Sequence, residues 1–333
     1  MRKDIRPRYK PFKPAYGFKN GHLQTLFSTF FRRQSQPKIE IEPFELDDGD
    51  FVECFWHRRP SPDDKTPIAV LFHGLEGSYE SPYIQGVMHA LGRAGFSSVL
   101  MHFRGCSGKD NRLPRSYHSG DTGDARVWIE SLTSRYPDHP LFAVGYSLGG
   151  NMLLKLLGEW GSSSPIKAAV SVSAPMQLDV CADRMTRGFS TLYQRHLMQN
   201  LKASLLKKYL DHPMQSHIGI DEEHVKKLKT FWEFDDVYTA PIHGFYSAAD
   251  YYKKSSAKQF LKAIETETLI IQALDDPFMT PEILPEEDEI SKSVQLELYP
   301  HGGHVGFVSG SFIRPKYWLE ERIVSYFTSM AKL

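Results

Sequence analysis

The chain has 333 residues, of which 41% are hydrophobic and 24% charged, and its 40 basic and 40 acidic side chains leave no formal net charge. That is the composition of a globular protein able to bury a large core. Its neutrality gives no global electrostatic case for nucleic acid or an acidic membrane. No apolar run approaches the ~18 residues of a membrane helix, and the basic start Met1–Arg8 leads into Pro and aromatics rather than the apolar core of a signal peptide. Cys54, Cys106 and Cys181 lie far apart without a C-x-x-C pair, which favours a reducing, cytoplasmic setting. The 14 histidines show no metal-ligand spacing, so neither a metal nor a cofactor is expected.

In chain order, residues 1–36 are rich in Pro, Arg, Lys and aromatics and read as an irregular arm, with one pointed feature, Asn20-Gly21-His22-Leu23-Gln24-Thr25. Residues 38–46 and 51–57 read as two strands joined at Asp47-Asp48-Gly49-Asp50, a hairpin turn signal. The continuous apolar run 67–72 is a strand covered on both faces, ending in His73-Gly74-Leu75-Glu76-Gly77-Ser78. A helix over about 83–93 leads to a strand at 98–103, which stops at Arg104-Gly105-Cys106-Ser107-Gly108; a helix over about 121–135 follows. Strands at 141–145 and 167–173 flank a helix that begins at Leu148. From 176 to 245 the spacing turns helical, in the series Met185, Phe189, Leu192, Tyr193, His196, Leu197, then Leu201 to Leu210, then His224–Trp232. Strands at 268–273 and 294–299 and a helix over about 315–330 close the chain. Alternating strands and helices with short joints predict an α/β fold: a mostly parallel central sheet flanked by helices. With no repeat or low-complexity linker, residues 1–333 read as one domain, and 176–245 as a helical cap insertion over the sheet's carboxyl edge. Ligand sites gather at that edge, where His73, Arg104 and Ser147 each follow a strand.

Gly145-Tyr146-Ser147-Leu148-Gly149, between a strand and a helix, fits a nucleophile elbow, in which a strained turn lifts the serine hydroxyl to the positive end of the helix. A serine nucleophile needs a base oriented by a carboxylate. The loops after the last two strands supply Asp275-Asp276-Pro277 and His301-Gly302-Gly303-His304. Asp276, directly before Pro277, fits the acid better than Asp275, which suits the turn. His304 is the expected base, with His301 the runner-up. The oxyanion needs two backbone donors: the N–H of Leu148, after the nucleophile, and one from the loop after 67–72, for which Leu75 is the choice. His73 is expected to be structural.

With these pieces assembled, the chain resembles the α/β-hydrolase superfamily, and within it the YheT-type esterases (AB hydrolase family 4), related to eukaryotic α/β-hydrolase domain lipases and esterases. Residues 20–25, 73–78, 104–108 and 145–151 carry that resemblance, together with the segment from Gly244-Phe245 through Asp250-Tyr251-Tyr252 to Asp275-Asp276. The family pattern fixes the second acid of the pair, which favours Asp276; Glu267 departs from its usual small residue or Pro, before a strand and away from the chemistry. The resemblance implies a serine carboxylesterase acting on short-chain acyl or monoacylglycerol-like lipid esters, with lipid metabolism as its setting. Acyl transfer or thioester cleavage on the same triad is the alternative, and a non-catalytic binding scaffold is a third reading that the complete triad disfavours. The expected partner is a small or lipid-like ester, with no nucleic acid and no transmembrane segment. Peripheral membrane contact through arm or cap stays open, although no strongly amphipathic basic helix argues for it.

Overall fold

Where the apolar runs are continuous, strands form and are paired on both edges. In the computed structural model, which describes residues 9–32, 35–61 and 63–332, one sheet holds β1 (Glu40–Glu45), β2 (Phe51–His57), β3 (Ile68–Phe72), β4 (Ser97–Met101), β5 (Leu141–Tyr146), β6 (Ile166–Val172), β7 (Glu267–Ala273) and β8 (Val294–Tyr299). Residues 1–8, 33 and 34 of the expected arm lie outside the described residues. The strand order is β1-β2-β4-β3-β5-β6-β7-β8. β1 and β2 pair antiparallel and β2 joins β4 antiparallel, while the six strands from β4 to β8 run parallel. The sheet is therefore mostly parallel, as the sequence predicted.

Every residue of β3, β4 and β5 is buried, because the pleat sends alternate side chains into two separate cores. Ile68, Val70 and Phe72 pack with Trp128 and Met152 on one face; Ala69 and Leu71 pack with Ile84, Met88 and Ile323 on the other. Fully burying one such aliphatic side chain contributes roughly 1.5–3 kcal/mol, so the middle strands are the most strongly held part of the molecule.

The helices α1 (Gly21–Phe30), α2 (Pro82–Arg93), α3 (Gly123–Arg135) and α4 (Leu148–Trp160) come before β6. α1 corrects the expectation of an irregular arm. Asn20 caps it by accepting the N–H of Leu23 at 3.1 Å, and the inward side chains Gln24, Thr25, Phe27 and Ser28 give it a mixed polar face that hydrophobic periodicity alone understates. Between β6 and β7 lie α5 (Leu178–Met185), α6 (Ser190–Asp211) and several shorter helices, with Met198, Leu205, Met214, Phe234 and Tyr238 forming a small core of their own. The single helix expected over 224–232 is two, Glu222–Lys227 and Phe231–Phe234, because Thr230 and Glu233 form a capping box that starts a new helix. Likewise the closing helix begins at Trp318, since 315–317 pair with 308–310 as a small hairpin. No helix among the described residues is long and apolar enough to cross a membrane.

Candidate active site

Ser147 stands between β5 and α4 with φ +50° and ψ −120°, a sparsely populated conformation costing on the order of 1–3 kcal/mol. Its N–H donates to the carbonyl of Val172 at the end of β6 (2.8 Å), which ties the turn to the neighbouring strand. Gly149 is required by close approach: a Cβ there would overlap the carbonyl of His73, the same carbonyl that accepts the Gly149 N–H at 3.1 Å. Six non-glycine residues among those described have positive φ, and five of them, Glu76, Ser147, Ser173, Val305 and Phe307, follow strands β3, β5, β6 and β8 at this rim. Strain of this kind gathers where a surrounding frame overdetermines the backbone.

The structure brings Ser147, His304 and Asp276 into one hydrogen-bonded line. Ser147 Oγ lies 2.9 Å from His304 Nε2, and His304 Nδ1 lies 2.8 Å from Asp276 Oδ2. The Asp276 side chain is 1% exposed, and its other oxygen accepts the Phe278 N–H at 2.9 Å. Asp275 sits elsewhere: one carboxylate oxygen accepts the Gly303 N–H at 2.9 Å and the other faces His301 Nδ1 at 3.3 Å. His301 makes no contact with Ser147 among those described.

Three groups that hold His304 escaped sequence reasoning. Its backbone N–H donates to Thr25 Oγ1 (2.9 Å), and that hydroxyl donates onward to the Gly21 carbonyl (2.8 Å). The Phe278 ring stacks on the imidazole at 4.1 Å between centroids and 10° between planes. Ser173 Oγ accepts the N–H of Val305, the next residue, at 3.1 Å. The segment 20–25, singled out by its residues but given no task, is thus a clamp on the histidine loop. Gln24 strengthens it, accepting the Val308 N–H (2.6 Å) and donating to the Phe18 carbonyl (2.8 Å). A Cβ at Gly303, where φ is +59°, would overlap the Gly21 carbonyl, so the two loops meet backbone to backbone.

The loop after β3 lies directly against the nucleophile, since a Cβ on Gly74 would stand 3.2 Å from Ser147 Cβ. The Leu75 and Leu148 N–H groups have no hydrogen-bond acceptor among the described residues, and the latter opens helix α4, where such donors are expected to be free. Around them the loop is fully tied: Gly74 N–H donates to Tyr83 Oη (3.0 Å), Glu76 N–H to Tyr117 Oη (2.8 Å) and Gly77 N–H to the Gly74 carbonyl (3.0 Å). His73 is buried; its Nε2 accepts the Phe103 N–H (3.1 Å) and its Nδ1 donates to the Gly74 carbonyl (2.7 Å). Burial pushes its pKa down to about 3, so it stays a neutral brace between β3 and β4. Arg104 is likewise engaged, by Asp124 (2.7 Å), Asp48 (2.8 Å) and Asp50 (3.0 Å).

Ser147 lines a cavity of about 720 Å³ whose wall includes residues of α5 and α6 and the side chains of Leu75, Met185, Tyr193, Leu197, Phe278 and Met279. Cys106 and Cys181 also line it, but burial pushes both thiols up, away from the thiolate a nucleophile requires. Among the described residues no group of three or more His, Cys, Asp or Glu is placed to hold a metal ion. The arrangement can pass a proton from a strained serine to the imidazole of a His–Asp pair, beneath an apolar pocket of the volume small ligands occupy.

Comparison with known proteins gives a consistent picture. A family profile described as alpha/beta hydrolase fold matches residues 67–311. The chain is 45% identical over 318 residues to the Escherichia coli (strain K12) protein named "Putative esterase YheT", covering 96% of this chain and 93% of that one. It is 28% identical to the Homo sapiens protein named phospholipase ABHD3, over 94% of this chain and 77% of that one. Among solved structures, the Pyrococcus furiosus esterase Pf2001 superposes with a TM-score of 0.56 at 15% identity, covering 97% of this chain and 99% of that one.

Proposed function

This chain belongs to the alpha/beta hydrolase family and is an ester hydrolase of the esterase and lipase type, and we propose that it is a serine carboxylesterase working through an acyl-enzyme on Ser147. The observation that carries this reading is the line Ser147 Oγ–His304–Asp276, at 2.9 and 2.8 Å, starting from a strained elbow. His304 Nε2 takes the hydroxyl proton as Oγ attacks the ester carbonyl. Asp276 accepts from Nδ1–H, which fixes the tautomer and stabilises the imidazolium that forms. The N–H groups of Leu75 and Leu148 receive the oxyanion. His304 then gives its proton to the leaving alcohol, and a water molecule, activated the same way, releases the acid.

The segment 176–245 acts in this reading as a cap whose apolar underside receives the acyl chain, and residues 1–333 work as one unit with it. The apolar lining by Met185, Tyr193, Leu197 and Met279 suits short-chain acyl or monoacylglycerol-like lipid esters. Replacing Ser147 by Ala is expected to lower kcat for p-nitrophenyl butyrate by at least about four orders of magnitude, with an unchanged thermal transition, and to abolish labelling by a fluorophosphonate. Hydrolysis that survives Ser147→Ala in a folded protein overturns the assignment.

A further inference from the structure

We propose that the lips of the cavity form a docking face for a lipid surface bearing anionic headgroups. This goes beyond the lipid-ester reading above and takes its purpose from it. One opening of the cavity lies between α1 and α6, where Phe30 on one side and His196 and Asn200 on the other line it and are exposed; further exposed lining lies at Gly105, Gly108, Asp110, Ser204, Lys207 and Asp211. On α1, on the 308–317 hairpin and at the start of α6, large apolar side chains are exposed among the described residues. Phe30 is 71% exposed, Phe31 66%, Phe312 67% and Ile313 88%, while Phe189 and Leu192 at the start of α6 are half exposed.

These residues come from three segments that the fold welds together. Phe312, at the tip of the 308–317 hairpin, packs against Phe18 and Phe27 of the arm, with centroids 6.2 and 5.7 Å apart. His22 on α1 packs on Phe189 at 4.6 Å and reaches Tyr193 Oη at 3.1 Å. These contacts join the apolar patch to α1 and α6, the two helices that flank this opening of the cavity.

Charge identifies the occupant. The whole chain is neutral, yet residues 9–32, 184–210 and 305–317 contain no aspartate or glutamate at all. The same segments present Lys13, Lys19, Arg187, Arg195, Arg314 and Lys316 to solvent. A second copy of the chain seated on this face would set these bases against one another across a two-fold axis. A leaflet with anionic headgroups satisfies both features: the aromatic and aliphatic side chains enter the interface, and the bases meet the headgroups.

The test uses the full-length Ser147→Ala protein, which leaves the lipid intact, sedimented with vesicles of phosphatidylcholine mixed with phosphatidylglycerol or of phosphatidylcholine alone. The protein should sediment with the mixed vesicles, far less with the neutral ones, and progressively less as salt is raised. Phe312→Ser with Ile313→Ser, and separately Lys13→Glu with Lys19→Glu, should each lower partitioning, the charge reversals by at least about tenfold. On the Ser147 background both variants should hydrolyse soluble p-nitrophenyl butyrate at the unaltered rate, which shows an intact site. Absence of vesicle binding, binding indifferent to both variants, or a dimer in sedimentation equilibrium that these variants dissociate would each overturn the proposal. Failure of the esterase reading shows separately, as a wild-type protein that binds vesicles with both dependences but cleaves no ester.

Discussion

At the sheet rim, Ser147, Asp276 and His304 sit on short loops after buried strands, whereas across the cavity α6 runs 22 residues with only Ser190, Gln194, Met198 and Leu205 buried. The difference lies in what holds each side. Rim residues are fixed through their own backbone N–H groups: Ser147 on the Val172 carbonyl, Gly149 on the His73 carbonyl and His304 on the Thr25 hydroxyl. The α6 side is held by a small core of its own and a few polar bridges, such as Ser204 Oγ to Glu76 Oε2 at 2.9 Å. Reacting atoms need positions held to a fraction of an ångström, which main-chain anchoring to strand ends and to α1 supplies. An apolar wall that only has to accept a chain does not, so in the proposed mechanism chemistry belongs to the rim and selectivity to the cap.

The sharpest break of that contrast is between two adjacent carboxylates. Asp276→Asn leaves the geometry but offers the imidazole the wrong partner, and kcat is expected to fall by about 10⁴. Asp275→Asn disturbs only the Gly303 N–H and His301 contacts, and a fall of less than about tenfold is expected. Equal losses in steady-state assays of the two variants would mean that the pair acts as one unit.

A smaller effect is expected at Thr25, which touches no substrate in this mechanism and works through the His304 backbone. Thr25→Val leaves that N–H without its acceptor, a loss of about 1–3 kcal/mol. If the clamp positions the histidine, the loss appears in kcat with KM unchanged, and Thr25→Ser restores it. If Thr25 is merely structural, Thr25→Val lowers the melting temperature and leaves kcat alone.

The rim was legible in sequence because each of its parts follows a buried strand, and a continuous apolar run such as Ile68–Phe72 or Leu141–Tyr146 announces itself without any partner. Ser147, Asp276, His304 and the loop holding Leu75 could be placed at one edge for that reason. Thr25 and Phe278 could not, since their roles arise from contacts across 279 and 26 positions of chain, which no local pattern encodes. α1 was missed because its inward face carries Gln24, Thr25 and Ser28, so polarity that serves the histidine loop masked the helical period. The break at Leu228–Thr230 was missed for the opposite reason: apolar spacing ran straight through a capping box that the S/T-x-x-E pattern alone records.

The smallest expected effect belongs to the α6 side and tests whether its frame, unlike the rim, responds to pH. Asp235 opens a turn of π-helix and is partly buried; its carboxylate accepts from Tyr252 Oη and Thr239 Oγ1, each at 2.6 Å. Burial dominates these hydrogen bonds and pushes its pKa up from 3.8 to about 6. Between those two values the fold holds a proton that the unfolded chain has released, so stability falls as pH rises through the window and stays lower above it. Asp235→Asn removes the partly buried charge while keeping one acceptor oxygen. After the loss of one hydrogen bond, a net gain of roughly 1 kcal/mol is expected at pH 7. At pH 4 the gain disappears, because the wild-type carboxyl is then protonated in the fold. Melting temperatures of the two proteins across this range should therefore converge towards acid and separate towards neutrality. A constant difference at every pH would show that Asp235 carries no linked proton, and that the α6 side is as indifferent to acid as a purely apolar wall.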